Sequence, residues 1–266
     1  AMRELCRQRF YIIDMASDLK RKVIALLDQV FPEYEKLFSD SFGVSSMELL
    51  SQYTTPEEML SVSSQQLAEV LEKASRGRLG AEKAVEIQDA ARNSFGIVMA
   101  SSSFSLIIRQ YIEQIRSLES SVDIFDAEIA RLLSGFDTQL TTITGIGPTL
   151  AAVILSEIGG DIRRFSSPAK LAAYAGVDPT VKQSGDFSGT RMKMSKRGSP
   201  YLRRAIWLAS TVAAFKEPAI HALYERKRAE VKDHMTVIGH ICRKMISIIF
   251  AVLRDNTPYV PAVISD

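Results

Sequence analysis

Apolar residues recur at helical spacing along most of this chain. Ala16, Leu19, Val23, Leu26 and Val30 step by three and four, which predicts an amphipathic helix that stops near Phe31-Pro32 and needs a partner. From Ser39 to about Ala100 the chain is polar and broken, with no strand alternation; Thr54 or Thr55 before "PEEML" and Ser64 before "QQLAEVLEKA" read as caps of short helices. "SRGRLG", residues 75 to 80, reads as a solvated turn rather than a phosphate contact. From Phe104 the period tightens. Phe104, Ile108, Tyr111, Ile115, Leu118, Val122, Phe125, Ile129 and Leu132 alternate steps of four and three, separated by charges such as Arg109, Glu113, Arg116 and Glu119. That is a heptad seam and predicts a long coiled-coil helix. Its partner is either the first helix folded back or the same segment of a second copy, and the pattern does not choose between them. Asp123, Asp126 and Glu128 read as the wet face of this helix.

After "SGFD" the punctuation becomes regular. In "LTTITGIGPTLAAVILSEIGG" Gly145 and Gly147 separate two apolar-periodic segments, Pro148 suits a first helical turn and Gly159-Gly160 closes the helix. Two short helices on a Gly-Ile-Gly turn resemble a helix-hairpin-helix motif, where backbone N–H groups approach a phosphate that a Cβ would hold away; a plain αα turn is the alternative. Ser167, Pro168 and Gly176 delimit a helix in "RRFSSPAKLAAYAGVDP", and Ser199-Pro200 starts "SPYLRRAIWLASTVAAF". "AIHALYERKRAEV" and "MTVIGHICRKMISIIFAVLRD" follow, the second apolar enough for a core, and Pro258 and Pro261 end the pattern. The expected fold is all-α: a coiled-coil scaffold and dimerisation region over 1–136, then a compact helical domain over 137–266 with the hairpin-like motif.

Composition narrows the function classes only locally. With 266 residues, 46% of them hydrophobic, the chain can bury a core, and 33 Lys+Arg against 31 Asp+Glu give no global argument for a polyanionic partner. Cys6 and Cys242 lack metal spacing and form no disulfide framework, which fits a reducing compartment. No uninterrupted apolar run approaches the roughly 20 residues of a spanning helix, and no leader pattern opens the chain, so a cytoplasmic protein without a membrane partner is expected. "AMRELCRQRF" enters a helical pattern at once without a cap, as a segment of a longer protein would.

The local exception is "VKQSGDFSGTRMKMSKRGSP". Lys182, Arg191, Lys193, Lys196, Arg197, Arg203 and Arg204 cluster there, opposed only by Asp186. Such an excess attracts nucleic acid. Gly185, Gly189 and Gly198 leave the backbone approachable, and Arg191 and Arg197 can grip phosphate oxygens bidentately. A serine hydroxyl in such a loop could attack a phosphodiester whose charge the cations stabilise. Ser184, Ser188 and Ser195 have similar neighbourhoods, so residue chemistry does not choose among them. His221, His234 and His240 lie in later helices, there is no G-x-S-x-G elbow, and no carboxylate cluster has metal spacing.

Taken in order, the Gly-Ile-Gly turn, the "RRFSSPAKLAAYAGVDP" block, the "QSG" step and "SKRGSPYLRR" resemble the C-terminal domain of the insertion-sequence one-ten family of transposases, related to Piv-type DNA invertases. The specific motifs span 139–204, with weaker similarity through "DLKRKVIALLDQVFPEYEKLFS". The resemblance implies a DNA recombinase guided by a bridge RNA. It also implies that Ser184, followed by Gly185, is a nucleophile forming a phosphoserine link to DNA. A RuvC-like domain carrying four acidic Mg²⁺ ligands is implied as well, which this chain does not contain, and an active site shared between domains of a dimer or tetramer. The metal is expected there and none in this chain. Two other readings stand beside it: a noncatalytic DNA- or RNA-binding module, and a helical oligomerisation module.

Overall fold

The computed structural model describes residues 1–99, 101–179, 183–184, 187–188, 194–231 and 233–261, with the backbone alone at 101, 183, 184, 187, 188 and 231. The fold is all-α. It clusters into two compact units, Phe10–Ile124 and Ala1–Arg9 with Phe125–Asp266.

In the first unit, most of α1 (Met2–Val30) is followed by a 3₁₀ turn at Pro32–Lys36 and by α2 (Val44–Gln52), α3 (Pro56–Leu60), α4 (Ser64–Ser75) and α5 (Ala81–Arg92), then by most of α6 (Ser101–Leu133). Of the expected α1 stripe Ala16, Val23 and Val30 are buried and Leu19 and Leu26 partly so. Leu27, outside that stripe, is buried with Val23 and Val30 against Phe31, Tyr34, Leu49, Leu50, Leu67, Leu71, Ile108, Ile112 and Ile115 in one core. Two of the short helices begin on a hydroxyl: Thr55 accepts from the Glu58 backbone at α3, and Ser63, one residue earlier than the expected Ser64, forms a capping box with Gln66 at α4, whereas α2 and α5 follow Gly43 and Gly80 without a side-chain cap. The box decides the register, because only a cap three residues before a Gln satisfies both orphan N–H groups. All nine residues of the expected seam are at least half-buried. Within this unit Lys20 of α1 meets Glu119 of α6 at 2.7 Å, and the Lys22 ammonium lies 5.7 Å from the Tyr111 ring, so here α1 lies beside α6. "SRGRLG" is a turn, entered through Arg76 in the left-handed region at φ 56°.

The second unit holds α7 (Pro148–Ile158), α8 (Pro168–Ala175), α9 (Pro200–Lys216), α10 (Pro218–Val231) and α11 (His234–Asp255), with the N-terminal end of α1 and the C-terminal end of α6. α7 is buried continuously from Ala151 to Ile158, as a central helix must be. α9 packs on α7, α10 and α11. Its buried Ala205, Ala209 and Ala213, four apart, make one stripe that lets helices come close. α11 is long and apolar enough to cross a membrane by length and composition; here Ile238, Ile241, Met245 and Ile249 are buried and it packs on α8, α9 and α10.

Candidate nucleic-acid interface

The sequence motifs "YAGVDP" and "SKRGSP" come together as a clamp. α8 stops at Gly176, left-handed at φ 67°, and the returning chain pairs along it. Ser199 N–H donates to Tyr174 O at 2.8 Å, Lys196 N–H to Gly176 O at 2.9 Å and Ser195 N–H to Asp178 O at 2.8 Å. Pro179 and Met194 form a last antiparallel bridge. A Cβ on Gly198 would lie 2.0 Å from Tyr174 O. That glycine therefore serves the clamp, where the sequence suggested openness toward a ligand. Lys196 adopts φ 56°, a conformation costly for a residue with a Cβ.

Between the two sides of this clamp in sequence lies the stretch that carries Ser184. Gln183–Ser184 (β1) and Phe187–Ser188 (β2) pair antiparallel, Ser184 opposite Phe187. Ser184 is thus the last strand residue before a two-residue connection. Lys182, Gly185, Arg191 and Lys193 lie outside the described residues, as does the side chain of Ser184. Ser195 stands differently: its hydroxyl donates to Asp178 Oδ1 at 2.5 Å, which commits it to the clamp.

Three of the expected cations meet in one place. Lys196, Arg203 and Arg204 line a groove of about 880 Å³ beside Met194, Pro200 and Trp207, whose opposite wall is α11 with Gly239, His240 and Arg243. None of the described residues lining it is acidic. Arg203 also donates to Ala175 O at 3.2 Å, capping the end of α8. Arg197 is exposed and does not line the groove. Trp207, His240 and Arg243 were not expected from the sequence: Trp207 sits in a helical apolar pattern, and His240 and Arg243 lie about 40 residues beyond the basic stretch. Burial, with the charges of Arg243 and Lys227, holds the His240 imidazole below its ordinary pKa against the opposing pull of Glu230.

The α9 N-terminus that lines the groove is held from beneath by a buried carboxylate. Ser199 accepts from the Leu202 N–H as the N-cap and donates to Glu157 Oε2 at 2.8 Å. Arg7 grips both oxygens of Glu157, at 2.7 and 3.1 Å, while its guanidinium lies 4.8 Å from the Tyr201 ring. Burial alone would raise the Glu157 carboxyl, but the hydrogen bonds from Arg7 and Ser199 and the charges of Arg7 and Arg3 outweigh it and hold it below the ordinary carboxylate value.

The two hairpin glycines part company. Gly145, at φ +90°, faces α9, where a Cβ would lie 2.5 Å from Ala209 O. Gly147 is exposed with open space around it and caps the N-terminus of α7. The first arm of the expected helical hairpin is a single 3₁₀ turn, Leu140–Thr142. Asp126, read from sequence as wet face, instead takes two hydrogen bonds from Arg9, at 2.6 and 2.7 Å, and one from Thr149 in the first turn of α7 at 3.0 Å. These contacts hold it below the usual carboxylate range although its partial burial pushes the other way.

Residues 137–225 match the family described as Transposase IS116/IS110/IS902. This segment is similar to the transposase domain of that family. The chain is 27% identical over 230 residues to the insertion element IS900 uncharacterized 42 kDa protein of Mycobacterium paratuberculosis, covering 86% of this chain and 57% of that protein. It is 27% identical over 253 residues to the IS110 43.6 kDa protein of Streptomyces coelicolor, covering 92% and 62%. To the pilin gene-inverting protein of Moraxella bovis it is 30% identical over 165 residues, covering 59% and 51%. The chain therefore spans less than two thirds of the length of these relatives. The matched segment holds Gly145, Gly147, the clamp, Ser184 and α9, whereas the α11 wall of the groove and Arg7 lie outside it. Among the described residues no three His, Cys, Asp or Glu side chains gather where they could hold a metal ion.

Proposed function

We propose that this chain is the DNA-handling part of a transposase or site-specific recombinase in which Ser184 is the nucleophile. The observation that carries the reading is the clamp: Met194 and Lys196, a few residues after Ser184 in the chain, belong both to the clamp pairing and to the cationic groove. In the proposed step the Ser184 hydroxyl oxygen bonds to a backbone phosphorus. One P–O ester bond to a deoxyribose breaks, and the hydroxyl proton passes to the departing oxygen, leaving the strand as a phosphoserine ester. Attack by a second strand's hydroxyl reverses these bond changes and rejoins the DNA. Lys182, Arg191, Lys193, Lys196, Arg197, Arg203 and Arg204 neutralise phosphate charge in this reading.

The described residues do not assemble a Mg²⁺ site, and no step here runs through the metal. Mg²⁺, an acidic RuvC-like domain, a bridge RNA and a dimer or tetramer belong to the proposal for the longer protein. The test traps the reaction of that protein with its RNA and a DNA duplex carrying the recombination site, denatures it, and looks for a protein–DNA adduct. An adduct that vanishes in Ser184→Ala while DNA binding persists is expected; an adduct unchanged in the variant would remove Ser184 from the role. A second reading, a binding module without catalysis, draws on the groove itself, and the absence of any adduct in either protein would favour it.

A further inference from the structure

One feature of the groove is not explained by phosphate binding. Gly239 sits within α11, where a glycine costs about 1 kcal/mol relative to alanine. Packing does not demand it, since a Cβ there would touch only Met194 Cε at 3.8 Å, an ordinary contact. What the missing side chain does is leave open the α11 wall that faces Trp207. The two walls have matching chemistry: Arg203, Arg204 and Trp207 stand three and four apart on one face of α9, and Gly239, His240 and Arg243 do so on one face of α11. Trp207 is half-buried, so part of its surface reaches the groove. Cations around an indole form the arrangement that single-stranded nucleic acid uses, with the backbone on the charges and a base on the ring. A duplex hides its base faces in the stack, so only an unpaired base can present one to an indole.

We propose that this groove holds one unpaired nucleotide of a DNA or RNA strand, its base stacked on Trp207 over the space left by Gly239 and its phosphates against Arg203, Arg204 and Arg243. The inference rests on the nucleic-acid reading above and adds to it a base-accepting pocket. It assigns the glycine a role in admitting a flat ligand.

Trp207 is the single tryptophan of the chain, so its fluorescence reports the contact directly. The full chain is titrated with a short single-stranded DNA, with RNA of the same sequence, and with a DNA strand of equal length and charge whose bases are replaced by abasic residues. The base-bearing strands quench Trp207 and bind about 5- to 150-fold more tightly than the abasic one, the range expected for stacking one base. Quenching by either strand supports the proposal, and the stronger of the two identifies the strand served. Trp207→Ala brings the affinity for base-bearing strands down to that of the abasic strand. Gly239→Leu abolishes both the quenching and the difference, with a thermal midpoint no lower than wild type showing that the fold persists. Equal binding of base-bearing and abasic strands without quenching would overturn the pocket and leave phosphate binding intact. Full quenching in Gly239→Leu would also overturn it. Binding of neither strand would overturn the nucleic-acid reading itself, and the pocket with it.

Discussion

Replacing Arg7 with alanine should be among the most damaging single changes outside the apolar core. It removes the hydrogen bonds at 2.7 and 3.1 Å that satisfy the Glu157 carboxylate, leaving the Ser199 hydroxyl at 2.8 Å. The Glu157 side chain is 1% exposed and that of Arg7 is 35% exposed. Removing one partner of a fully buried ion pair costs about 3–5 kcal/mol. Water entering from the exposed Arg7 side recovers part of this, so the expected loss is about 2–3 kcal/mol. Glu157→Gln in the Arg7→Ala background removes the uncompensated charge and should restore at least half of it. The assay is urea unfolding of all four proteins, with the coupling taken from the double-mutant cycle. The acid limb gives an independent reading. Because the Glu157 carboxyl is held below its ordinary value in the folded state, its contribution is complete above the unfolded pKa of about 4.3 and is lost as pH falls through the folded value. The gap between wild type and Arg7→Ala should therefore be widest near neutral pH and close in acid. A loss below about 1 kcal/mol at neutral pH, the range of an exposed pair, or a gap that widens in acid, would refute the reasoning.

Gly145→Ala forces a Cβ to within 2.5 Å of Ala209 O at φ +90° and should cost on the order of 2–3 kcal/mol in thermal unfolding. Gly147→Ala, at φ −82° with open space, should cost less than about 1 kcal/mol. A loss of DNA affinity in Gly147→Ala without loss of stability would mark the α7 N-terminus as a phosphate contact. Arg197 is exposed and outside the groove, so Arg197→Ala should weaken binding of all sequences alike and reduce the slope of log K against log salt by about 1; an unchanged slope would remove it from the interface.

The resemblance in 139–204 lies within the segment, 137–225, that matches the Transposase IS116/IS110/IS902 family, and the local punctuation of that region was equally legible. Ser167, Pro168 and Gly176 bound α8, and Ser199 and Pro200 open α9, because caps and positive-φ glycines act within one helical turn and leave their mark on adjacent residues. The long α6 was legible for the same reason, its period running without interruption from Phe104 to Leu132 of a 33-residue helix. Less legible were α2 and α5, whose apolar stripes are short and whose burial depends on neighbours distant in the chain.

The candidate site divides along the same line. Sequence alone determined which residues carry charge, where helices start and stop, and that a serine lies in a basic, glycine-rich stretch. Tertiary structure decided what each of them faces. It turned Gly145 and Gly198 toward backbone carbonyls, committed Ser195 to Asp178, and brought Gly239, His240 and Arg243 of α11 opposite Arg203, Arg204 and Trp207 of α9. It also placed Arg7, at the start of the chain, on Glu157 beneath the α9 N-terminus. Helical periodicity and capping are short-range effects, fixed by residues a few positions apart. Which helix faces which depends on apolar burial summed over the whole unit, and that sum leaves no local mark on the residues it brings together.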